Sequence, residues 1–239
     1  MAEQIVVVGA GIAGLNLAGL AVDAVDPVAA AAFWRSALGG SVQAGPDGSV
    51  VVSGTFPDLW FRPEALPNSV KNRVHLDVYV SAIEPLLELG AEVLAEYLPQ
   101  RVTLADIEGN EFCAFLDADV PAGPAAQLFA VCTDSDRPEQ LAAWWARLVG
   151  ARVGPGPDGT PRWLYESAGW PDLLWKFVRT RDERHTPNRW RWTLRASRDE
   201  LIAAGAVESG DGVFLDPEGN EFELCQFLPR PRTDSAGSS

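Results

Sequence analysis

The chain has 239 residues, 47% of them apolar, with three cysteines and a net charge of −14. That acidity excludes a phosphate-binding surface, so neither nucleic acid nor an anionic membrane is an expected partner, and no stretch reaches the roughly 18 to 20 apolar residues of a membrane span. No basic residue precedes the first apolar run, as a secretory signal requires, and the scattered Cys113, Cys132 and Cys225 suit a reducing compartment, so a cytoplasmic protein is expected.

The first feature along the chain is IVVVGAGIAGL, residues 5–15, which spaces Gly9, Gly11 and Gly14 like a dinucleotide-binding loop. A dinucleotide fold also needs a second strand ending in Asp or Glu about twenty residues later. No acidic residue occurs from Val28 to Pro46. Residues 1–16 therefore read as an appended Gly-rich segment, with no nucleotide cofactor.

LAGLAVDAV, residues 17–25, reads as a strand, and Asp26 and Pro27 form the N-cap and first turn of the helix AAAAFWRSAL, which Gly39 and Gly40 stop. Residues 49–54 and 58–62 read as a hairpin around Gly54 and Pro57. Over 73–80, Val74, Leu76, Val78 and Val80 alternate with Arg73, His75, Asp77 and Tyr79, which predicts a strand with one polar face. SAIEPLLELG is a short helix closed by Gly90, and EGN at 108–110 turns between two last strands.

The order then repeats. FWRSALGGSV (33–42) returns as WWARLVGARV (144–153), FPDLWF (56–61) as WPDLLW (170–175), NRVHLDVYV (72–80) as NRWRWTLRA (188–196) and DIEGNEF (106–112) as DPEGNEF (216–222). The offset stays between 110 and 116, the signature of a tandem duplication. The two copies span residues 17–118 and 126–228, and the tail from 229 to 239 is expected to be disordered.

Two copies of strand, helix and strands, each with D-x-E-G-N-E-F near its end, resemble the vicinal oxygen chelate superfamily, which holds glyoxalases, bleomycin-resistance proteins and extradiol dioxygenases. The closest likeness is to glyoxalase-like domains with N-R-x-H-L-D in a middle strand. The resemblance implies an α+β fold of two βαβββ-type modules. Each would be a half-open curled sheet with helices outside and a ligand-binding concavity inside. In metal-dependent members one ligand lies on the first strand, a His begins the middle strand and a Glu lies on the last. Carried onto this sequence, these positions are Gly19, His75 and Cys113 in the first copy and Phe129, Arg191 and Glu223 in the second. Gly and Phe bring no donor and Arg brings a cation, so no metal is expected; a slipped first strand presenting Asp23 is the route by which one would be regained.

Strand parity places His75 and Asp77 together on an inner face, with Glu111 and Cys113 on the last strand, a set suited to acid–base catalysis. Arg191 and Glu223 are expected to pair in the second copy, as structure or as a hold on a ligand's oxygen. Trp60 and Trp175 follow the PDL element in both copies, where they would stack on a flat ligand or repeat one core contact; Trp190 and Trp192 fall by parity under the helices. The expected partner is a small oxygenated metabolite, aromatic or not, handled by lyase, isomerase or cyclase chemistry, the alternative being sequestration of a cationic drug. The chain is expected to be a monomer or homodimer.

Overall fold

A computed structural model describes residues 15–97, 99–167, 170, 172–210 and 212–225. The Gly9–Gly14 loop and the tail from 229 lie outside them.

Four units of strand, helix and three strands follow one another. The first is β1 (Asn16–Ala24), α1 (Pro27–Leu38), β2 (Ser41–Ala44), β3 (Val50–Ser53) and β4 (Asp58–Pro63). The second is β5 (Val74–Val80), α2 (Glu84–Glu88), β6 (Glu92–Tyr97), β7 (Arg101–Ala105) and β8 (Glu111–Leu116). The third is β9 (Gln127–Ser135), α3 (Pro138–Val149), β10 (Arg152–Pro155), β11 (Pro161–Tyr165) and β12 (Leu174–Arg179). The fourth is β13 (Trp190–Arg195), α4 (Arg198–Ala203), β14 (Val207–Gly210), β15 (Val213–Leu215) and β16 (Glu221–Leu224). The start of α1 is set as its sequence implies: the Asp26 carboxylate accepts the N–H groups of Val28 and Ala29, and Pro27 occupies the first turn.

The units build two curled, open eight-stranded sheets. The first runs β14-β15-β16-β13-β1-β4-β3-β2 and the second β10-β11-β12-β9-β5-β8-β7-β6. Each sheet therefore joins a half of one copy to a half of the other, through antiparallel pairing of β1 with β13 and of β5 with β9. The sequence repeat does not reveal this exchange, because β5 and β13 carry the same pattern and either satisfies the alternation of β1.

One face of each sheet buries large apolar groups under α1 or α3. Trp34 of α1 meets Phe112 and Trp190 edge-on, while Trp145 of α3 meets Trp175 and Phe222. Trp190 and Trp192 lie in this core, where parity put them. The E-G-N turns tie the sheets together. Asp106 accepts the Trp34 indole N–H at 2.9 Å, and Glu108 accepts the N–H groups of Val25 and Asp26 just before α1. Asp216 and Glu218 repeat this against Trp145, Asp136 and Arg137. A carboxylate against the free N–H groups at a helix start is favourable through hydrogen bonding and the helix dipole. Among the described residues no helix is long and apolar enough to cross a membrane.

Candidate functional site

The opposite, concave faces carry the chemistry. In the second sheet, β5 lies between β8 and β9, with Asp77 level with Cys113 on one side and His75 level with Cys132 on the other. β12 lies beyond β9 and sets Lys176 level with Cys132. These strands form the floor of a cavity of about 620 Å³ whose walls include Tyr97, Arg101, Phe115, Arg162 and Trp163. Its residues come from both copies: His75, Asp77 and Cys113 from the first, Cys132, Trp163 and Lys176 from the second.

Asp77 is the hub. Lys176 donates to its Oδ2 at 2.9 Å, the Cys132 thiol approaches the same oxygen at 3.1 Å, and His75 Nε2 lies 3.4 Å from Oδ1. Burial raises the Asp77 pKa, but the cations at His75 and Lys176 outweigh it and hold the carboxyl below its ordinary value. Burial likewise opposes charge on His75, yet Cys132, Asp77 and Cys113 hold its pKa well above that of an ordinary histidine. Burial pushes the Cys132 thiol up to about 11, so it is neutral at pH 7 and the standing negative charge beside His75 is that of Asp77. The Lys176 ammonium also lies 4.4 Å from the centre of the Phe129 ring and 5.2 and 5.3 Å from those of Phe115 and Trp163, within cation–π range.

Cys113 faces this floor, its sulfur 3.7 Å from the Thr103 hydroxyl. Glu111 lines the cavity, but one of its oxygens accepts the Asn72 N–H at 3.0 Å rather than meeting His75. Glu221 does the same to Asn188 in the second copy, which makes this contact a repeated anchor for the start of a strand.

The first sheet treats the equivalent place differently. Arg191 donates to Glu223 at 2.7 Å and to both oxygens of Asp23 at 2.6 Å, and Arg62 grips Glu223 through two bonds of 2.7 and 2.8 Å. Burial opposes the charges of Arg191 and Glu223, but the opposite charges overcome it, raising the pKa of the guanidinium and lowering that of the carboxyl. Two guanidinium groups and two carboxylates thus pair with one another on this face.

Three positions depart from the expected set. The carboxylate on the first strand is Asp23, not a group at Gly19, where a Cβ would come 2.3 Å from the Asp58 carbonyl oxygen. On β9 the donor is Cys132 rather than Phe129, because a register shift opposite Asp77 and Val78 brings both residues to the concave face. Trp175 is no cavity wall. It is 1% exposed, donates to the Thr133 hydroxyl and packs on Trp145 and Trp192. Trp60 directly follows its PDL element and Trp175 follows one residue later, and in a strand one residue reverses the face. Trp60, level with Ala21 on β4, shares the concave parity of Arg62. Lys176 belongs to none of the motifs in the sequence, although it is the one charged residue in the apolar run LLWKFV.

The resemblance implies a divalent ion in some relatives. His75, Asp77 and Cys132 do bring three donor atoms within 4.8 Å of one another. The donor set as it stands is nevertheless a poor fit, because an ammonium is bound to Asp77 and the thiol is neutral, whereas a metal needs the thiolate and would face a fixed like charge. Asp23 and Glu223 fit no better, both being engaged by guanidinium groups.

Comparison with solved structures gives a glyoxalase I mutant from Zea mays, 12% identical over 88% of this chain and 93% of that one, with a TM-score of 0.58. A putative dioxygenase from Bacillus subtilis is 14% identical over 91% of this chain and 86% of that one, with a TM-score of 0.60. At these identities the likeness is one of fold. No curated protein matches the sequence. The profile of the Glyoxalase-like domain matches twice, over residues 19–115 and 130–225, and with the two curled sheets on the page the chain belongs to that family, as a tandem pair of its domains.

Proposed function

We propose that the protein is a glyoxalase-like enzyme with one working cavity, which performs proton transfer on a small oxygenated molecule without a metal. The observation that carries this reading is the pair of cations, His75 and Lys176, held on the single carboxylate Asp77 at the floor of the 620 Å³ cavity. In metal-dependent relatives a dication would neutralise charge developing on a substrate oxygen; here the ammonium and the imidazolium supply it. His75 gives its proton to the substrate's carbonyl oxygen as that oxygen becomes negative, the Lys176 amine donates a hydrogen bond beside it, and Asp77 holds both in place. Glu111, with one oxygen already on Asn72, is the lining carboxylate placed to accept the proton leaving carbon. Isomerase and lyase reactions share this step. Sequestration of a cationic drug is disfavoured, because the aromatic faces of Phe115, Phe129 and Trp163 already hold the chain's own ammonium.

The test is hydrogen–deuterium exchange at carbons next to a carbonyl. A panel of small oxo- and hydroxy-compounds in heavy water, followed by NMR, should include compounds that the protein exchanges faster than buffer does. His75→Gln and Lys176→Met should each slow that exchange by roughly a hundredfold, the scale of losing one donor to a developing oxyanion. Exchange by neither the intact protein nor the variants, with binding retained, would move the reading to sequestration.

A further inference from the structure

We propose that the ligand of this cavity is a carboxylic acid, bound at the rim through the guanidinium of Arg101 while its other oxygen reaches His75 and Lys176. The inference rests on the cavity being the working site and adds the chemical class of what enters it.

The other cations that line the cavity are already engaged. Lys176 and His75 share Asp77, Lys71 is bound to Asp134 and Asp182, and Arg162 pairs with Asp158. Arg101 is the exception: among the described residues no carboxylate pairs with it, and its guanidinium carbon lies over the Tyr97 ring, 4.5 Å from the centre. The strands fix its position. Arg101 is level with Tyr97 on β6 and with Phe115 on β8, and Phe115 is in turn 5.2 Å from the Lys176 ammonium. A path along this wall therefore runs from Arg101, which Tyr97 flanks on the outer strand, across the Phe115 ring to the two cations on Asp77. The fork of an arginine matches a carboxylate through two parallel hydrogen bonds, and the cation–π contact with Tyr97 holds the group at this rim. Between the two ends the surface is aromatic, which suits a flat, conjugated body. The observations thus point to a small planar oxo- or hydroxy-carboxylic acid. Such an anion enters a site whose floor carries two cations to one carboxylate, even though the chain as a whole is acidic.

The experiment is calorimetric titration of the full chain with phenylglyoxylate, its neutral amide, and benzylamine as the cationic probe. The acid should bind at least about tenfold more tightly than the amide, the scale of one charge-assisted bidentate contact, and benzylamine should bind weakest. Arg101→Gln should bring the acid-to-amide ratio close to one, the loss falling mainly on the acid. Arg101→Lys should keep part of the ratio, since it retains the charge without the fork. Equal binding of acid and amide by the unaltered protein, or a ratio unmoved by Arg101→Gln, would overturn the proposal. If the ratio behaves as expected but His75→Gln and Lys176→Met leave every affinity unchanged, the assignment of the cavity floor fails instead, and Arg101 binds acids at a site apart from it. If none of the three probes binds, the acid proposal falls, while the exchange test still decides the proton-transfer reading.

Discussion

Replacing Lys176 with Met removes the ammonium while keeping a chain of similar length against Phe115, Phe129 and Trp163. The Lys176 side chain is 11% exposed and that of Asp77 is 4% exposed, so the pair is buried, and removing one member of a buried pair costs about 3–5 kcal/mol. His75 remains beside Asp77 to share the charge, and the new thioether regains roughly 0.3–1.5 kcal/mol of contact with the rings. A net loss of about 2–3 kcal/mol follows from these opposing terms. Urea denaturation followed by tryptophan fluorescence should show a lower midpoint with an unchanged slope. The double variant with Asp77→Asn should be less destabilised than the sum of the two single variants by about 1–3 kcal/mol, since it leaves no orphaned carboxylate. Strict additivity of the two changes, or a loss from Lys176→Met below the error of the method, would refute the ion pair as the organiser of the floor.

Three further outcomes are expected. Trp175→Ala should cost roughly 3–5 kcal/mol of stability and leave ligand affinity unchanged in the fraction that stays folded, whereas Trp163→Ala should weaken ligand binding at little cost in stability; calorimetry and urea midpoints separate the two. Arg191→Met leaves Asp23 and Glu223 with Arg62 as their remaining cation and should destabilise the protein by about 3–5 kcal/mol, read from thermal unfolding at neutral pH. The His75 pKa is raised in the folded state, so the stability it contributes is fully present below the unfolded value of 6.5 and fades as pH rises through the folded value. The difference in unfolding free energy between the intact protein and His75→Gln should therefore be flat at pH 5 to 6 and shrink above 6.5; a difference that grows with pH would contradict a charged His75.

What the sequence discloses is what depends on local pattern. The repeat, the alternation of β5, the Asp26–Pro27 helix start and the E-G-N turns each depend on a few neighbouring residues, and each is found where the chain predicts it. The fold as curled sheets is legible only through the resemblance that these motifs carry to the vicinal oxygen chelate superfamily. What escapes is set by long-range pairing. Copies with one pattern do not say which half completes which sheet, so Cys132 and Lys176 cannot be placed beside His75 and Asp77 without the structure. A register shift in β9 and the extra Leu before Trp175 reverse parity where a strict period of two is assumed. The signal for Lys176 was present as a lone cation in an apolar strand, a placement that a buried charge needs a partner to justify.

The two concavities explain each other. At the repeat offset that aligns FPDLWF with WPDLLW, Arg62 corresponds to Lys176. At the offsets of the neighbouring segments Arg191 corresponds to His75 and Glu223 to Cys113. Both sheets thus carry two cations at the centre, but the first answers them with two carboxylates, Asp23 and Glu223, and the second with one, Asp77. Where the first sheet has the Glu223 carboxylate, the second has the shorter Cys113 side chain, whose sulfur lies against the Thr103 hydroxyl and brings no carboxylate to either cation. Charge is expensive to leave uncompensated away from water. The first concavity answers its two cations with two carboxylates, and the second combines a cavity of about 620 Å³ with the positive charge that an entering oxyanion would satisfy.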